Sequence, residues 1–134
     1  MGCDIHIVIE KKVNDKWLGV YASDIIDIYP NEPKGNERWY LFFDKLAGVR
    51  QRGSIPQNTT KGFPDDLSEL GYYISQEMDG HSPSYCSAKE FCDFYNASEL
   101  ELIVDKPIKS SSVKILGLWE SDLEDYRVVF YFDN

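Results

Sequence analysis

The sequence predicts an α+β fold, in which an antiparallel sheet formed by the N- and C-terminal strands carries about three helices packed on one face. Two observations predict this class. Apolar and polar residues alternate at both ends of the chain, as they do in strands, whereas apolar residues in the middle recur at helical spacing. The length of 134 residues fits a single domain, 1–134, and is sufficient for one hydrophobic core.

The first predicted strand covers residues 3–10. One face of this strand is apolar and consists of Cys3, Ile5, Ile7 and Ile9. The opposite face is mixed in character and consists of Asp4, His6, Val8 and Glu10. Asn14 and Asp15 form a turn signal, so residues 16–22 are predicted to return as the second strand of a hairpin.

Three segments in the middle of the chain are predicted to be helical. The first, residues 39–49, carries an apolar stripe made of Trp39, Phe42, Phe43, Leu46 and Ala47. Residues 65–78 form the second helix, after a long loop over residues 50–64. Ser87 and Glu90 form a capping box, which predicts that the third helix begins at Ala88 and ends near Asn96.

The remaining segments are predicted to be connections and strands. Residues 23–38 form an irregular connection, and residues 79–84 form a tight polar loop. The acidic run at residues 120–125 is a solvated connector. Further strands are predicted at residues 99–104, 113–119 and 126–132.

The composition limits the partners of the protein. Its net charge of −9 repels long nucleic acids and anionic membranes, because affinity for phosphate groups in series comes from clustered Lys and Arg. A small phosphorylated ligand stays compatible with this charge, since one local group of cations is enough to hold it. The three cysteines suggest no disulfide framework, and no apolar run is long enough to span a membrane. A cytoplasmic location is therefore expected.

Two polar segments hold both histidines of the chain. Asp4 and His6 share one strand face, where a carboxylate can orient an imidazole for acid–base chemistry. The second segment supplies a further imidazole, a carboxylate and hydroxyls from Asp79, His81, Ser82 and Ser84. We predict that the segments meet in one site, where His6 and His81 act as acid and base. The alternative is structural, with these groups satisfying backbone amides at a strand face and a turn.

The same groups also suit a divalent metal, because imidazoles and carboxylates bind Zn²⁺ and Mn²⁺. The predicted ligands are Asp4, His6, Asp79 and His81. With such a metal as cofactor, the protein would be a metal-dependent hydrolase.

A few cations stand out in this acidic chain. Arg50 follows the first predicted helix and Lys61 lies in the next loop, and both are predicted to hold phosphate. Tyr40 or Tyr85 is predicted to stack on a nucleobase. The alternative is that Arg50 only interacts with the helix dipole and that Lys61 is solvated.

Five motifs are spread over most of the chain, at residues 1–6 (Met-Gly-Cys-Asp-Ile-His), 40–50, 60–64, 79–85 (Asp-Gly-His-Ser-Pro-Ser-Tyr) and 127–134. In these motifs the chain resembles a family of small phage-, prophage- and bacteria-encoded proteins that has no assigned activity. Two residues depart from the family pattern, since Phe42 replaces the usual Leu and Lys61 replaces the usual Arg. The lysine keeps the charge but loses the fork through which Arg binds an anion with two hydrogen bonds.

The resemblance implies that the matching segments converge in one pocket and that the protein acts on a nucleotide signal of host defence. The first functional hypothesis is therefore binding, with cleavage as an extension, of a small phosphorylated ligand derived from a nucleotide. The second is the metal-dependent hydrolase. The third is a protein-interaction module that blocks a host factor through its acidic surface, without a small-molecule site. The oligomeric state is left open, and a homo-oligomer is one of the options.

Overall fold

The structure, a computed structural model, describes residues 4–23, 40–49, 60–76, 79–94 and 120–133. These residues form β1 (Asp4–Val13), β2 (Lys16–Ser23), α1 (Tyr40–Ala47), α2 (Glu69–Gln76), β3 (His81–Ser87) and β4 (Tyr126–Asp133). A 3-10 helix, Glu120–Asp125, leads into β4. Residues 88–94 are helical directly after β3. The strands predicted at residues 99–104 and 113–119 lie outside the described residues, as does nearly all of the connection predicted at residues 23–38.

The four described strands form one antiparallel sheet in the order β2-β1-β4-β3. β1 and β4 pair along their length, from Asp4 opposite Asp133 to Lys11 opposite Tyr126. The sheet is therefore built around strands from the two ends of the chain. This confirms the predicted α+β class and the antiparallel sheet of N- and C-terminal strands.

The predicted hairpin is also present. Asn14 and Asp15 connect β1 to β2 with φ angles of 49° and 64°, the left-handed conformation that two-residue hairpin turns require. Asn and Asp tolerate this conformation better than other residues with a side chain. The turn signal in the sequence therefore reflects a backbone requirement.

The apolar core lies on one face of the sheet. Its strand residues are Ile5, Ile7, Ile9, Cys86, Val128, Phe130 and Phe132. The ring of Phe43 in α1 packs edge-on against Phe132, at 5.2 Å between centroids. Phe91, in the helical residues 88–94, packs against Phe130 at 6.3 Å. Burial of each such side chain contributes roughly 1.5–3 kcal/mol, so this face holds much of the folding free energy.

The opposite face, which we call the mixed face, is also covered. Residues 60–68, which we call the strap, cross this face and lead into α2. At Gly19 and at Gly71 the strap and α2 lie so close to the sheet and to each other that an added Cβ would overlap Leu70 or Leu67. The helices are thus distributed over both faces of the sheet. The sequence predicted that the helices pack on one face of the sheet only, and the observed arrangement differs from that prediction.

The lengths of the helices differ from the predictions in part. Two helices, α1 and α2, are delimited in the described residues, where about three were predicted. α1 ends at Ala47, because Gly48 adopts a φ of 69° and its amide bonds to the Asp44 carbonyl at 2.7 Å. α2 begins at Glu69 rather than at residue 65, because the Ser68 hydroxyl caps it by accepting a hydrogen bond from the Gly71 amide at 3.0 Å.

The capping box is confirmed at the start of residues 88–94. The Ser87 amide donates to the Glu90 carboxylate at 3.2 Å, and the Glu90 amide donates to the Ser87 hydroxyl at 3.0 Å. The residues up to 94 are helical, and the predicted end near Asn96 lies outside the described residues.

The polar loop predicted at residues 79–84 is for the most part a strand, and this prediction was wrong. β3 begins at His81 and pairs with β4, with an irregularity between His81 and Ser84. Ser82 lies in this irregularity with a φ of 56°, which explains why turn-like residues fit into an edge strand. Of the helices in the described part of the chain, none is long and apolar enough to cross a membrane.

Candidate functional site

His6 is held by a carboxylate at one end of the mixed face. Its Nε2 forms a hydrogen bond with Asp133 Oδ2 near the end of β4. The prediction assigned this orienting role to Asp4, which lies on the same face and directly opposite Asp133 in the strand register. The alternation of β4 carries the signal for Asp133, because Arg127, Val129, Tyr131 and Asp133 must share a face.

The ring of His6 is fixed on its other sides. It stacks on Tyr131, with 4.8 Å between centroids and 11° between planes. Phe63 of the strap meets the same tyrosine edge-on at 6.4 Å. His6 Nδ1 is buried and has no hydrogen-bond partner among the residues that the structure describes. If Nε2 carries the ring hydrogen and donates it to Asp133, Nδ1 keeps an unsatisfied lone pair.

His81 lies on the opposite face of the sheet. It pairs with Phe132 and stacks on the ring of that residue at 6.2 Å, whereas His6 stacks on the preceding residue, Tyr131. Neighbouring residues of a strand point to opposite faces. His81 Nδ1 contacts the Ser82 hydroxyl at 2.9 Å. The structure therefore does not bring the two imidazoles together.

The predicted metal ligands do not form a cluster. Asp79 is exposed just before β3. Among the residues that the structure describes, no three His, Cys, Asp or Glu side chains are placed to hold a metal ion. Asp4, His6, Asp79 and His81 all belong to the described part, so the geometry does not support a shared Zn²⁺ or Mn²⁺ site there.

Gly80 has a packing role in this segment. A Cβ at this position would overlap the carbonyl oxygen of Phe132 and crowd the ring of Tyr131. The absence of a side chain lets the start of β3 lie directly against the end of β4. Gly80 thus lets Asp79 and His81 lie beside the end of the sheet that also carries His6. At this end, His6 and His81 are on opposite faces of the sheet.

Two predicted ligand-binding residues, Lys61 and Tyr85, do meet at the outer edge of β3. We call this pair the cationic edge. The Lys61 amide donates to the Ser84 hydroxyl at 3.1 Å, and the next amide, of Gly62, donates to the Pro83 carbonyl at 2.9 Å. Lys61 Nζ then lies 4.5 Å above the centroid of the Tyr85 ring. Contacts of this kind are cation–π interactions.

The other predicted ligand-binding residues do not add to this edge. Ser84 is fully buried and its hydroxyl is used by the strap, so its role there is structural. Ser82 contacts His81 instead. Tyr40 begins α1, but its side chain lies outside the description, and so does Arg50 as a whole.

Sequence reasoning did not find the ion-pair cluster at the other end of the mixed face. Arg127 Nε donates to the fully buried Glu10 at 2.5 Å, and Nη1 and Nη2 donate to the side chain and carbonyl of Asp66 at 2.8 and 3.0 Å. The second oxygen of Glu10 accepts from the Ser68 amide at 2.7 Å. Arg127 also lies over the ring of Trp17 at 4.2 Å.

This cluster fixes the strap and perturbs one carboxyl group. The hydrogen bond from Arg127, helped by the charge of the guanidinium, lowers the pKa of Asp66 below its usual value. The signal in the sequence was that Glu10 shares a strand face with Asp4 and His6, but nothing indicated its burial. The burial of Glu10 depends on Arg127, a partner 117 residues away in the chain.

An open groove of about 710 Å³ lies beside this cluster. Residues 15–19 of the hairpin form one wall, and residues 66–70, from the strap and the start of α2, form the other. Trp17 and Asp66 belong to both the groove and the ion-pair cluster. Arg127 itself does not line the groove.

Cys86 and Cys92 are free and buried. Burial raises the pKa of each thiol to about 12. Because the thiolate is the nucleophilic form, neither residue is suited to nucleophilic catalysis at neutral pH.

No protein-family model, curated protein or solved structure matches this chain. The resemblance to the phage- and prophage-encoded family therefore stays a prediction, and the residues alone carry the functional argument.

Proposed function

We propose that the protein binds a small phosphorylated ligand, derived from a nucleotide, at the cationic edge. The observation that carries the proposal is the position of Lys61 Nζ above the ring of Tyr85. Lys61 is exposed and Tyr85 is half-buried, so the ammonium group and part of the aromatic surface are accessible together. A phosphate group needs a cation such as this ammonium group, and an attached base needs an aromatic surface on which to stack.

The backbone supports this arrangement. Hydrogen bonds from the amides of Lys61 and Gly62 fix the strap to β3, so the lysine side chain starts from a defined position. A defined starting position reduces the entropy that binding must remove. In a chain with a net charge of −9, an exposed ammonium group is also a local attractor for a small anion.

We propose that the protein binds the ligand without cleaving it. Acid–base cleavage by paired histidines loses support, because the two imidazoles lie on opposite faces of the sheet. The metal-dependent alternative has no supporting cluster in the described residues. As a phage- or prophage-type protein, it would act by sequestering a host defence signal. We place it in the cytoplasm, where buried free thiols such as Cys86 and Cys92 persist in the reduced form.

A thermal-shift panel tests the proposal. Cyclic nucleotides and ADP-ribose derivatives are added separately at millimolar concentration, and the melting temperature of the full chain is measured. A ligand present at 100 times its Kd stabilises a protein by about 2.7 kcal/mol, so at least one compound is expected to raise the Tm by several degrees. If no compound in the panel raises the Tm, the proposal is contradicted.

A further inference from the structure

We propose that the outer edge of β2 is the interface of a homodimer, in which β2 pairs antiparallel with β2 of a second copy of this chain. The sheets of the two copies then form one continuous sheet. The proposal does not rest on the cationic edge, because β2 and β3 are the two outer strands of the described sheet and lie at its opposite edges.

The exposed large apolar side chains of the described residues are concentrated beside this edge. All of them lie in the hairpin of β1 and β2 or in α2, and they are Val13, Leu18, Val20, Tyr21, Tyr72 and Tyr73. Single exposed apolar residues are ordinary on a protein surface, whereas a group of them marks an interaction site. Leu18, Val20 and Tyr21 are 49%, 52% and 54% exposed, so about half of each side chain is available to a partner.

These side chains flank the edge on both faces of the sheet. Tyr21 pairs with Ile9 of the apolar core, so it lies on the core face. α2 lies on the mixed face, where Leu70 packs directly against Gly19 of β2. Tyr73 follows Leu70 by one helical turn and so lies on the same side of α2. A strand added beside β2 therefore meets apolar side chains on both faces.

β2 also has the backbone of a strand that can accept a partner. No other described strand pairs with its outer side. It has 8 residues, Lys16–Ser23, with no proline and with Lys16 as its single charge, whereas native proteins usually protect long edges with charges or proline. β3 differs, because the Gly62 amide already donates to its Pro83 carbonyl and its pairing with β4 is irregular at Ser82.

A second copy of the chain fits this edge. Dimers with two-fold symmetry use the same surface on both subunits, and an antiparallel pair of identical strands has this symmetry. Lys16 is the first residue of β2, so the two copies of Lys16 lie at opposite ends of the interface. β2 contains no Asp or Glu, so the net charge of −9 places no pair of carboxylates between the strands. Because the two-fold axis is perpendicular to the sheet, both copies of α2 lie on the same face, beside the junction.

Sedimentation equilibrium of the full chain tests the inference. The variant is Val20→Lys, which places a charge near the middle of β2, where the two-fold axis brings the two copies of the residue together. Val20 is the extra residue of a bulge opposite Ile9 and Glu10, so its replacement leaves the pairing of β1 with β2 intact. Val13→Lys is the matched control, because it adds the same charge to an exposed valine of the same hairpin that lies in β1, away from the outer edge.

The wild type and Val13→Lys are expected to be dimers at about 100 μM protein, above the micromolar Kd of a weak specific interface. Val20→Lys is expected to raise the Kd of the dimer at least about tenfold, because like charges then face each other across the strands. Both substitutions bring the net charge closer to zero, so general repulsion does not explain a loss of the dimer. A monomeric wild type, an unchanged Kd in Val20→Lys or an equal loss of the dimer in Val13→Lys would overturn the inference.

Amide hydrogen exchange identifies the surface that becomes covered. Peptides from β2 are expected to gain protection as the protein concentration rises, whereas peptides from β3 are not. Protection of β2 that does not change with concentration would show that a segment of the same chain covers the edge, and the inference would then be wrong. Nucleotide binding at the cationic edge is expected to be the same in Val20→Lys and in the wild type, so failure of either proposal leaves the other standing.

Discussion

At the scale of single residues, the buried pair of Glu10 and Arg127 is the feature that most distinguishes the structure from an ordinary half-buried sheet. Glu10 is fully buried and Arg127 is 6% exposed, yet both charges are satisfied by each other and by the strap. Such pairs contribute little net stability compared with apolar residues, but removal of one partner is costly. The pair therefore ties the strap to the sheet in one register.

Removal of the Glu10 charge is expected to be strongly destabilising. Glu10→Gln leaves the guanidinium of Arg127 buried with only the exposed Asp66 as a counter-charge. We expect a loss of about 3–5 kcal/mol in the free energy of unfolding, measured by urea denaturation. Asp93→Asn, which breaks the exposed pair with Lys89, is the control and is expected to cost less than about 0.5 kcal/mol. Similar small losses in both variants would contradict the structural role of the pair.

Asp66 is expected to give the stability of the protein a dependence on acid. Its pKa is lower in the folded state than its ordinary value of 3.8, because Arg127 hydrogen-bonds to the ionised form. The stabilisation is therefore present above pH 3.8 and is lost as the pH falls through the folded pKa. Since the side chain is largely exposed, we expect Asp66→Asn to cost only about 0.5–1 kcal/mol at neutral pH.

The measurement is urea denaturation of the wild type and Asp66→Asn at neutral pH and at pH values well below 3.8. The difference between them should disappear in acid. A difference that is independent of pH would show that the charge of Asp66 is not what Arg127 binds.

At the scale of elements, local patterns were reliable where they reflected backbone requirements. The hairpin turn at Asn14 and Asp15 and the capping box at Ser87 and Glu90 both form as predicted. β3 could not be predicted in this way, since Gly80 and Ser82 are typical of turns. Their place in a strand depends on pairing with β4, which lies elsewhere in the sequence.

Gly80 provides a test of that pairing. In Gly80→Ala the new methyl group meets the carbonyl oxygen of Phe132, which is backbone and cannot move aside. We expect a loss of about 1–3 kcal/mol in the free energy of unfolding. Asp79→Ala, at the exposed neighbouring residue, is the control and is expected to cost less than about 0.5 kcal/mol. If Gly80→Ala cost no more than this control, the close contact between β3 and β4 would be in doubt.

At the scale of the whole molecule, the sheet and its class follow from the sequence, whereas the use of both sheet faces does not. Alternation places Glu10 and Arg127 on one face, but it cannot show that the strap buries them. The candidate site, too, could be predicted from the sequence only in part. His6 was identified, but its partner Asp133 became evident only when β1 and β4 were paired.

Burial also predicts the reactivity of the cysteines. Burial raises the pKa of Cys86 and Cys92 to about 12, so both stay protonated in the folded protein at pH values near 8. We expect iodoacetamide to leave both unmodified in native buffer and to alkylate both in urea, as read by peptide mass spectrometry. Rapid alkylation of Cys86 in native buffer would contradict the packing of β3 against the core.

The central claim, that the cationic edge binds a phosphorylated ligand, is tested most directly by calorimetric titration of one nucleotide into three proteins. The nucleotide is the one that raises the melting temperature most, and the proteins are the wild type, Lys61→Ala and Lys89→Ala. Lys89 is also an exposed cation, lies in a surface pair with Asp93 and serves as the control. The account predicts at least about tenfold weaker binding for Lys61→Ala and an unchanged affinity for Lys89→Ala. Equal affinity in all three proteins would contradict it.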